Sequence, residues 1–308
     1  MALTLCLAVI LDSILGDPRN FPHPVKFIGT VIAFWHKIFF DGSDSFFRGL
    51  AAVIMTLLTT GLITAGLLFL TDCSVLVQVY LLYSAIAWRD LKDETAPVLL
   101  SLINKKLREA RKYLSFVVGR DTENLNENEI ARAAVETIAE NSVDGVMSVI
   151  FFAVFGNAIN QHWGMCLSVW FFKSASTLDS MLGYESMGRY GTAAARLDDI
   201  LNFIPARLGS LLIILSGFLT GGSPGAFRVF LNDRLKHKSP NSANAESAFA
   251  GVLDVRLGGG AYYNGKFESR PFLNKTGNEV AAIDILRAWK LLDVSCFLSV
   301  LAAVIIAS

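Results

Sequence analysis

Glu129, Arg132, Glu136, Glu140 and Asp144 stand three and then four residues apart. In a helix that spacing puts four carboxylates and one guanidinium on a single face. Neighbouring carboxylates repel by a few tenths of a kcal/mol per exposed pair, roughly, and a cation beside them relieves the repulsion. Oxygen donors of this kind suit Mg²⁺, above all when phosphates complete its shell. A second acidic group, Asp198-Asp199-x-x-Asn202, places oxygen ligands one helical turn apart. A third polar group, Lys236-His237-Lys238, precedes Ser239-Pro240-Asn241, where Asn241 or Ser242 could cap a helix over 243–253 and turn free N–H groups toward an anion. The first two patterns have plainer readings: a solvated face with an internal Arg–Glu pair, and a polar face ahead of Pro205.

The element that must carry the first group reads as a helix from Asn128 onward, since alanines fill the gaps and nothing breaks it before Gly145. Around it the composition is that of a membrane protein. Hydrophobic residues are 53% and charged residues 18% of the 308 positions, and the mean hydropathy is +0.48. The formal net charge is zero, so no bulk field draws in nucleic acid. Cys6, Cys73, Cys166 and Cys296 are scattered through apolar runs, without metal-ligand spacing or a disulfide framework.

In chain order, 1–15 reads as a retained membrane helix interrupted by Asp12, without the basic flank or cleavage site of a signal peptide. Residues 16–29 form a loop stiffened by Pro18, Pro22 and Pro24, with His23 between two prolines. Segment 25–40 lies along the interface, 49–71 spans the bilayer, and 73–88 is a second, shorter span. Residues 89–142 form a polar stretch with an amphipathic helix from Val98 to about Val118, whose Lys and Arg residues place it in the cytoplasm. The apolar run 145–172 is split by Asn160-Gln161-His162 and reads as a re-entrant or tight hairpin pair, not one straight helix. Apolar segments 208–222 and 292–307 bracket a loop over 223–290. Within it Gly260 to Lys266 spells G-x-x-x-x-G-K, but Phe267 replaces the Ser or Thr of a phosphate loop and no strand precedes it. The predicted fold is therefore all-α: one polytopic helical membrane domain with re-entrant or broken helices and functional loops at 16–29, 89–144, 173–207 and 223–290.

Together GDPRNFPHPV, DETAP, VGRDTENL, IARAAVETIAENSVDGV, STLDSMLGY, ARLDDILNFIPAR, KSPN and LGGGAYYNG resemble adenosylcobinamide-phosphate synthase, the membrane-embedded CobD/CbiB family of cobalamin biosynthesis. The likeness runs from about residue 10 to 275. After KSPN the family usually continues Ala-Gly and an aromatic before Pro-Glu, whereas Ser242-Ala243-Asn244-Ala245 precede Glu246 here. The resemblance implies amide formation between a propionate of adenosylcobyric acid and (R)-1-amino-2-propanol or its phosphate, with ATP and Mg²⁺. Homodimerisation, or association with other corrinoid-pathway enzymes, stays open at this stage.

A carboxylate does not accept an amine in water until it is activated, for which an acyl phosphate serves. Making one is phosphoryl transfer, so catalysis is largely positioning and charge neutralisation. On that reading Glu136, Glu140 and Asp144 are candidates for base or metal work, and Asp198 and Asp199 for a second metal or phosphate role. Arg120, Arg132, Lys236 and Lys238 are phosphate candidates, and His23 is a further base candidate. Asn141, Asn202 and Asn241 could pair with the amides around a corrinoid. An intramembrane Mg²⁺-dependent prenyltransferase and a corrinoid transporter are the competing readings. If the 145–172 hairpin doubles back, the three polar blocks converge on one cytoplasm-facing cleft, and a cysteine at Ser186 should be reached only from that side.

Overall fold

The computed structural model describes residues 1–17, 23–184 and 187–307; Pro18, Pro22 and Ser186 therefore lie outside the described residues. The fold is all-α with broken helices, and among the described residues four helices are long and apolar enough to cross a membrane: Phe46–Leu70, Glu127–Ile159, Phe203–Thr220 and Ala282–Ala307. Contacts divide the chain into two units.

The first unit holds Met1–Ala87, Ser148–Asn202 and Val300–Ser308. Its helices are α1 (Ala2–Leu15), α2 (Pro24–Phe39), α3 (Phe46–Leu70), α4 (Val75–Tyr83), α8 (Ser148–Ile159), α9 (Gly164–Leu182) and α10 (Gly188–Leu201). The predicted span at 49–71 is α3. Thr56, Thr60 and Thr64 form a buried stripe along it, and the Thr60 and Thr64 hydroxyls donate to carbonyls one turn back. Two of the three polar side chains thus enter the apolar unit with their hydroxyls bonded to the helix itself, whereas the buried Thr56 hydroxyl has no hydrogen-bond partner.

The predicted span at 73–88 is not one. Helix α4 has only nine residues, about 14 Å at 1.5 Å per residue, too short for a bilayer core. The break at Asn160-Gln161-His162 does reverse the chain. Asn160 Oδ1 accepts the N–H groups of His162 and Trp163, both at 2.9 Å, and so caps the turn into α9. The two helices touch through glycine: a Cβ on Gly156 would lie 2.0 Å from the Gly164 carbonyl oxygen.

The second unit holds Trp88–Met147 and Phe203–Ser299. It comprises α5 (Trp88–Ile103), α6 (Leu107–Leu114), α7 (Glu127–Ser142), a π-helical turn at Val143–Met147, α11 (Phe203–Thr220), α12 (Ala226–Asp233), α13 (Ser242–Leu253) and most of α14 (Ala282–Ala307). The amphipathic helix expected over 98–118 is two helices. Helix α5 already starts at Trp88, takes Pro97 inside, and ends where Lys105 turns to φ 57°.

Helix α7 opens on a capping box: Asn126 Oδ1 accepts the Glu129 N–H, and Glu129 accepts the Asn126 N–H. It packs on α5, α6 and α13. Helix α13 is built of small residues, and all but its first are buried.

Two short antiparallel ladders follow: β1 (Leu257–Gly258) pairs with β4 (Phe272–Leu273), and β2 (Ala261–Tyr263) with β3 (Lys266–Glu268). The G-x-x-x-x-G-K stretch is thus a hairpin. Its turn residues Asn264 and Gly265 sit at φ 50° and 75°, as a two-residue hairpin turn requires. The Asp121 carboxylate receives both turn N–H groups, at 3.1 and 2.7 Å. An anion already fills that cradle, so it is no phosphate loop.

Candidate functional site

The polar start of α7 and the loop over 223–290 meet inside the second unit. Glu136 is the centre of the meeting. One of its oxygens lies 2.7 Å from Arg120, and the other accepts the Gly258 N–H at 2.8 Å. Arg132, one turn earlier, approaches to 3.8 Å. The Glu136 and Arg120 side chains are 7% and 12% exposed, so each charge depends on the other for what water no longer supplies. Gly258 reaches Glu136 because Gly258, Gly259 and Gly260 take φ 81°, 91° and 94° in succession, a path that side chains other than glycine resist.

Around this pair lies a recess lined also by His237, Glu246, Tyr263 and Arg270. His237 is 5% exposed and Glu246 4% exposed in the side chain, with Nδ1 3.7 Å from a Glu246 oxygen. His237 Nδ1 also faces Ser242 Oγ at 3.3 Å, whereas Nε2 is buried without a hydrogen-bond partner. The Arg270 guanidinium lies over the Tyr263 ring, 5.6 Å from its centre. Glu140, one turn beyond Glu136, is exposed, and the charges acting on it are Arg270, Arg120 and Glu136.

Burial, then the charges of Glu136 and Glu140, push the Glu246 carboxyl well above the ordinary carboxylate range, against the pull of Arg270 and Arg120. Above the ordinary carboxylate range an unfolded chain has released this proton while the folded chain keeps it. Folding stability is therefore lost as pH rises from that range toward the raised value. Glu246→Gln, which stays neutral throughout, should flatten the decline; thermal melts of both proteins between about pH 4.5 and 8 check it, and parallel curves would refute it.

The other predicted residues fall in varied places. Asn141 donates its amide to the Thr137 carbonyl of its own helix. Asp144 lies in the π-helical turn, off the regular phase of α7. Lys236 pairs with Asp233 at 2.5 Å and reaches the Phe272 carbonyl. Lys238 is exposed. Asn241 occupies the cap position of α13, but its side chain does not cap, and its Oδ1 accepts from Arg207 at 3.2 Å. Asp198, Asp199 and Asn202 belong to the first unit. There the Asn202 amide donates to Asp198, and Asn202 Oδ1 accepts from Ser148 at 2.8 Å. His23, in the same unit, caps α2 through Nδ1 and faces Asp17 with Nε2 at 3.2 Å.

Sequence reasoning did not single out His237, Glu246, Tyr263 or Arg270. Glu246 carried a signal: it is the lone charge in the small-residue stretch SANAESAFAGVL, and an ionisable group there is buried once the helix packs.

A family model described as CobD/Cbib protein matches residues 5–292. The chain belongs to the CobD/CbiB family. Among its curated CobD/CbiB relatives, "Cobalamin biosynthesis protein CobD" of Clostridium perfringens (strain 13 / Type A) is 36% identical, covering 97% of this chain and 96% of its own. The protein of that name from Geobacter metallireducens is 40% identical over 96% and 94%, and that from Klebsiella pneumoniae subsp. pneumoniae 37% over 96% and 93%. No solved structure matches the chain.

Proposed function

We propose that this CobD/CbiB protein is an ATP-dependent amide ligase of cobalamin biosynthesis. It joins a propionate carboxylate of adenosylcobyric acid to (R)-1-amino-2-propanol or its O-phosphate. Family membership supports the coarser part, a role in cobalamin biosynthesis. The observation that supports the chemistry is the recess itself, where two guanidinium groups, Arg120 and Arg270, stand among Glu136, Glu140 and Glu246. Arginine forks match phosphate oxygens in pairs, and phosphoryl transfer asks for such positioning and neutralisation.

In this mechanism Arg270, exposed at the rim, receives the nucleotide phosphates. Glu136 holds Arg120 in the recess by one nitrogen, and the other N–H groups of the fork would serve the phosphates. The propionate attacks the terminal phosphorus, ADP leaves, and the acyl phosphate accepts the amine. The buried wall of the recess keeps water from the acyl phosphate.

The donor set fits a magnesium ion that arrives on the nucleotide rather than one held in a protein cage. Among the described residues no group of three or more His, Cys, Asp or Glu side chains converges on a metal position, and both Glu136 oxygens are engaged. Mg²⁺ often takes only one or two carboxylates, with phosphates and water completing its shell; Glu140 would hold it here. The ion would neutralise charge on the transferred phosphoryl group.

The four apolar helices make the bilayer the protein's setting, and a nucleotide substrate puts the recess on the cytoplasmic side. No particular observation favours the prenyltransferase or the transporter. Purified protein in detergent, given ATP, Mg²⁺, adenosylcobyric acid and each amine in turn, should yield the corresponding amide together with ADP and phosphate. Absence of amide with both amines would refute the reading. Glu140→Gln should raise the Mg²⁺ needed for half-maximal rate while leaving the fold intact.

A further inference from the structure

Resting on the amide-forming reading, we propose that His237 is the base that takes the proton from the attacking amine, through Nε2. Three features of the geometry point there. The ring is 5% exposed, yet it lines the recess. Its Nε2 is buried with no hydrogen-bond partner, a costly condition unless something else meets it. Its Nδ1 is turned the other way, toward Ser242 Oγ and the Glu246 carboxyl. A ring that gives its Nδ1 proton to the serine oxygen has a lone pair on Nε2, and a lone pair is what a base needs.

The step balances without any further reactant. The amine lone pair attacks the acyl carbon. The carbon–oxygen bond to phosphate breaks, and inorganic phosphate leaves with that electron pair. The proton shed by nitrogen passes to Nε2.

The groups that face His237 set its protonation. They are Glu246 from α13, Glu136 from α7, Arg120 ahead of α7, and Arg270 and Tyr263 beyond the glycine run, all lining the same recess. Burial first, then the Arg270 charge, hold its pKa below the ordinary histidine value, with Glu136 opposing. The imidazole is therefore neutral, and able to accept, at neutral pH.

The test separates the two half-reactions. Full-length protein with ATP and adenosylcobyric acid is given either 1-amino-2-propanol phosphate or hydroxylamine. Hydroxylamine is a much weaker base, so its adduct with the acyl carbon surrenders a proton to water unaided. His237→Gln should lower amide formation about 100-fold while leaving hydroxamate formation within roughly threefold of the parent. The acid limb of the amide pH–rate profile should vanish in the same variant. An equal fall in both products would place His237 in phosphoryl transfer or in folding, and no fall in either would leave it without a role; both results overturn the proposal. Should the Gln protein melt early, His237→Asn is judged by the same ratio. Wild-type protein that makes neither product refutes the amide-ligase reading and this assignment together, and does so before any variant is read.

Discussion

Replacing Glu136 by alanine should nearly abolish amide formation and lower stability by about 3–5 kcal/mol, the usual cost of stranding a buried charge. Arg120 would lose its partner at 2.7 Å and Gly258 its acceptor at 2.8 Å, in a site where the arginine is 12% exposed. The paired variant Arg120→Met with Glu136→Met separates the two losses. Removing both charges at once should recover most of the stability, less about 1–3 kcal/mol for the unpaired Gly258 amide, because well-packed apolar groups replace ion pairs at little cost. Amide formation should stay lost, since the phosphate-facing guanidinium has gone. Thermal melts and product assays on the same preparations decide it, and a double variant that is active would take the site away from this recess.

Gly258→Ala should produce the second large effect. At φ 81° a side chain is strained by roughly 1–2 kcal/mol. The added Cβ would also lie 2.3 Å from the Pro271 carbonyl oxygen, so the backbone must shift. That shift moves the N–H that Glu136 accepts, and amide formation should fall by about tenfold or more even where the protein stays folded. Gly265→Ala is the control. It has φ 75° with no atom within 4 Å of the added carbon, so it carries the strain alone and should cost stability without comparable loss of rate. Equal losses of rate in the two variants would refute the argument.

What could be read from the sequence was mainly local. The polar block before Gly145 does begin a helix, one residue earlier than expected, because Asn126 and Glu129 complete a capping box. The turn at Asn160 and the span of α3 are likewise written in neighbouring residues. The shared acidic face was only partly informative. Glu129 serves the cap, Glu136 is locked in an ion pair, Asp144 lies in the π-helical turn, and Glu140 alone keeps an exposed carboxylate.

The missing part was long-range. Glu136 meets Gly258 across 122 positions, and no periodicity within α7 announces that partner. His237 stood between two lysines that looked like the phosphate ligands. The structure turns Lys236 to Asp233 and leaves Lys238 exposed, while the histidine goes inward.

The burial of α13 also sets an order of assembly. Its twelve residues, SANAESAFAGVL, are too few for a stable isolated helix, which needs roughly 12–15 or more even in favourable sequences. They also lack the length to be taken up as a membrane span. The helix can persist only once α7, α11 and α12 surround it, and α7 precedes it by about a hundred positions, a separation that slows closure. The recess is therefore complete only once α13 docks: Glu246 cannot approach Glu136 before α7, α11 and α12 hold its helix.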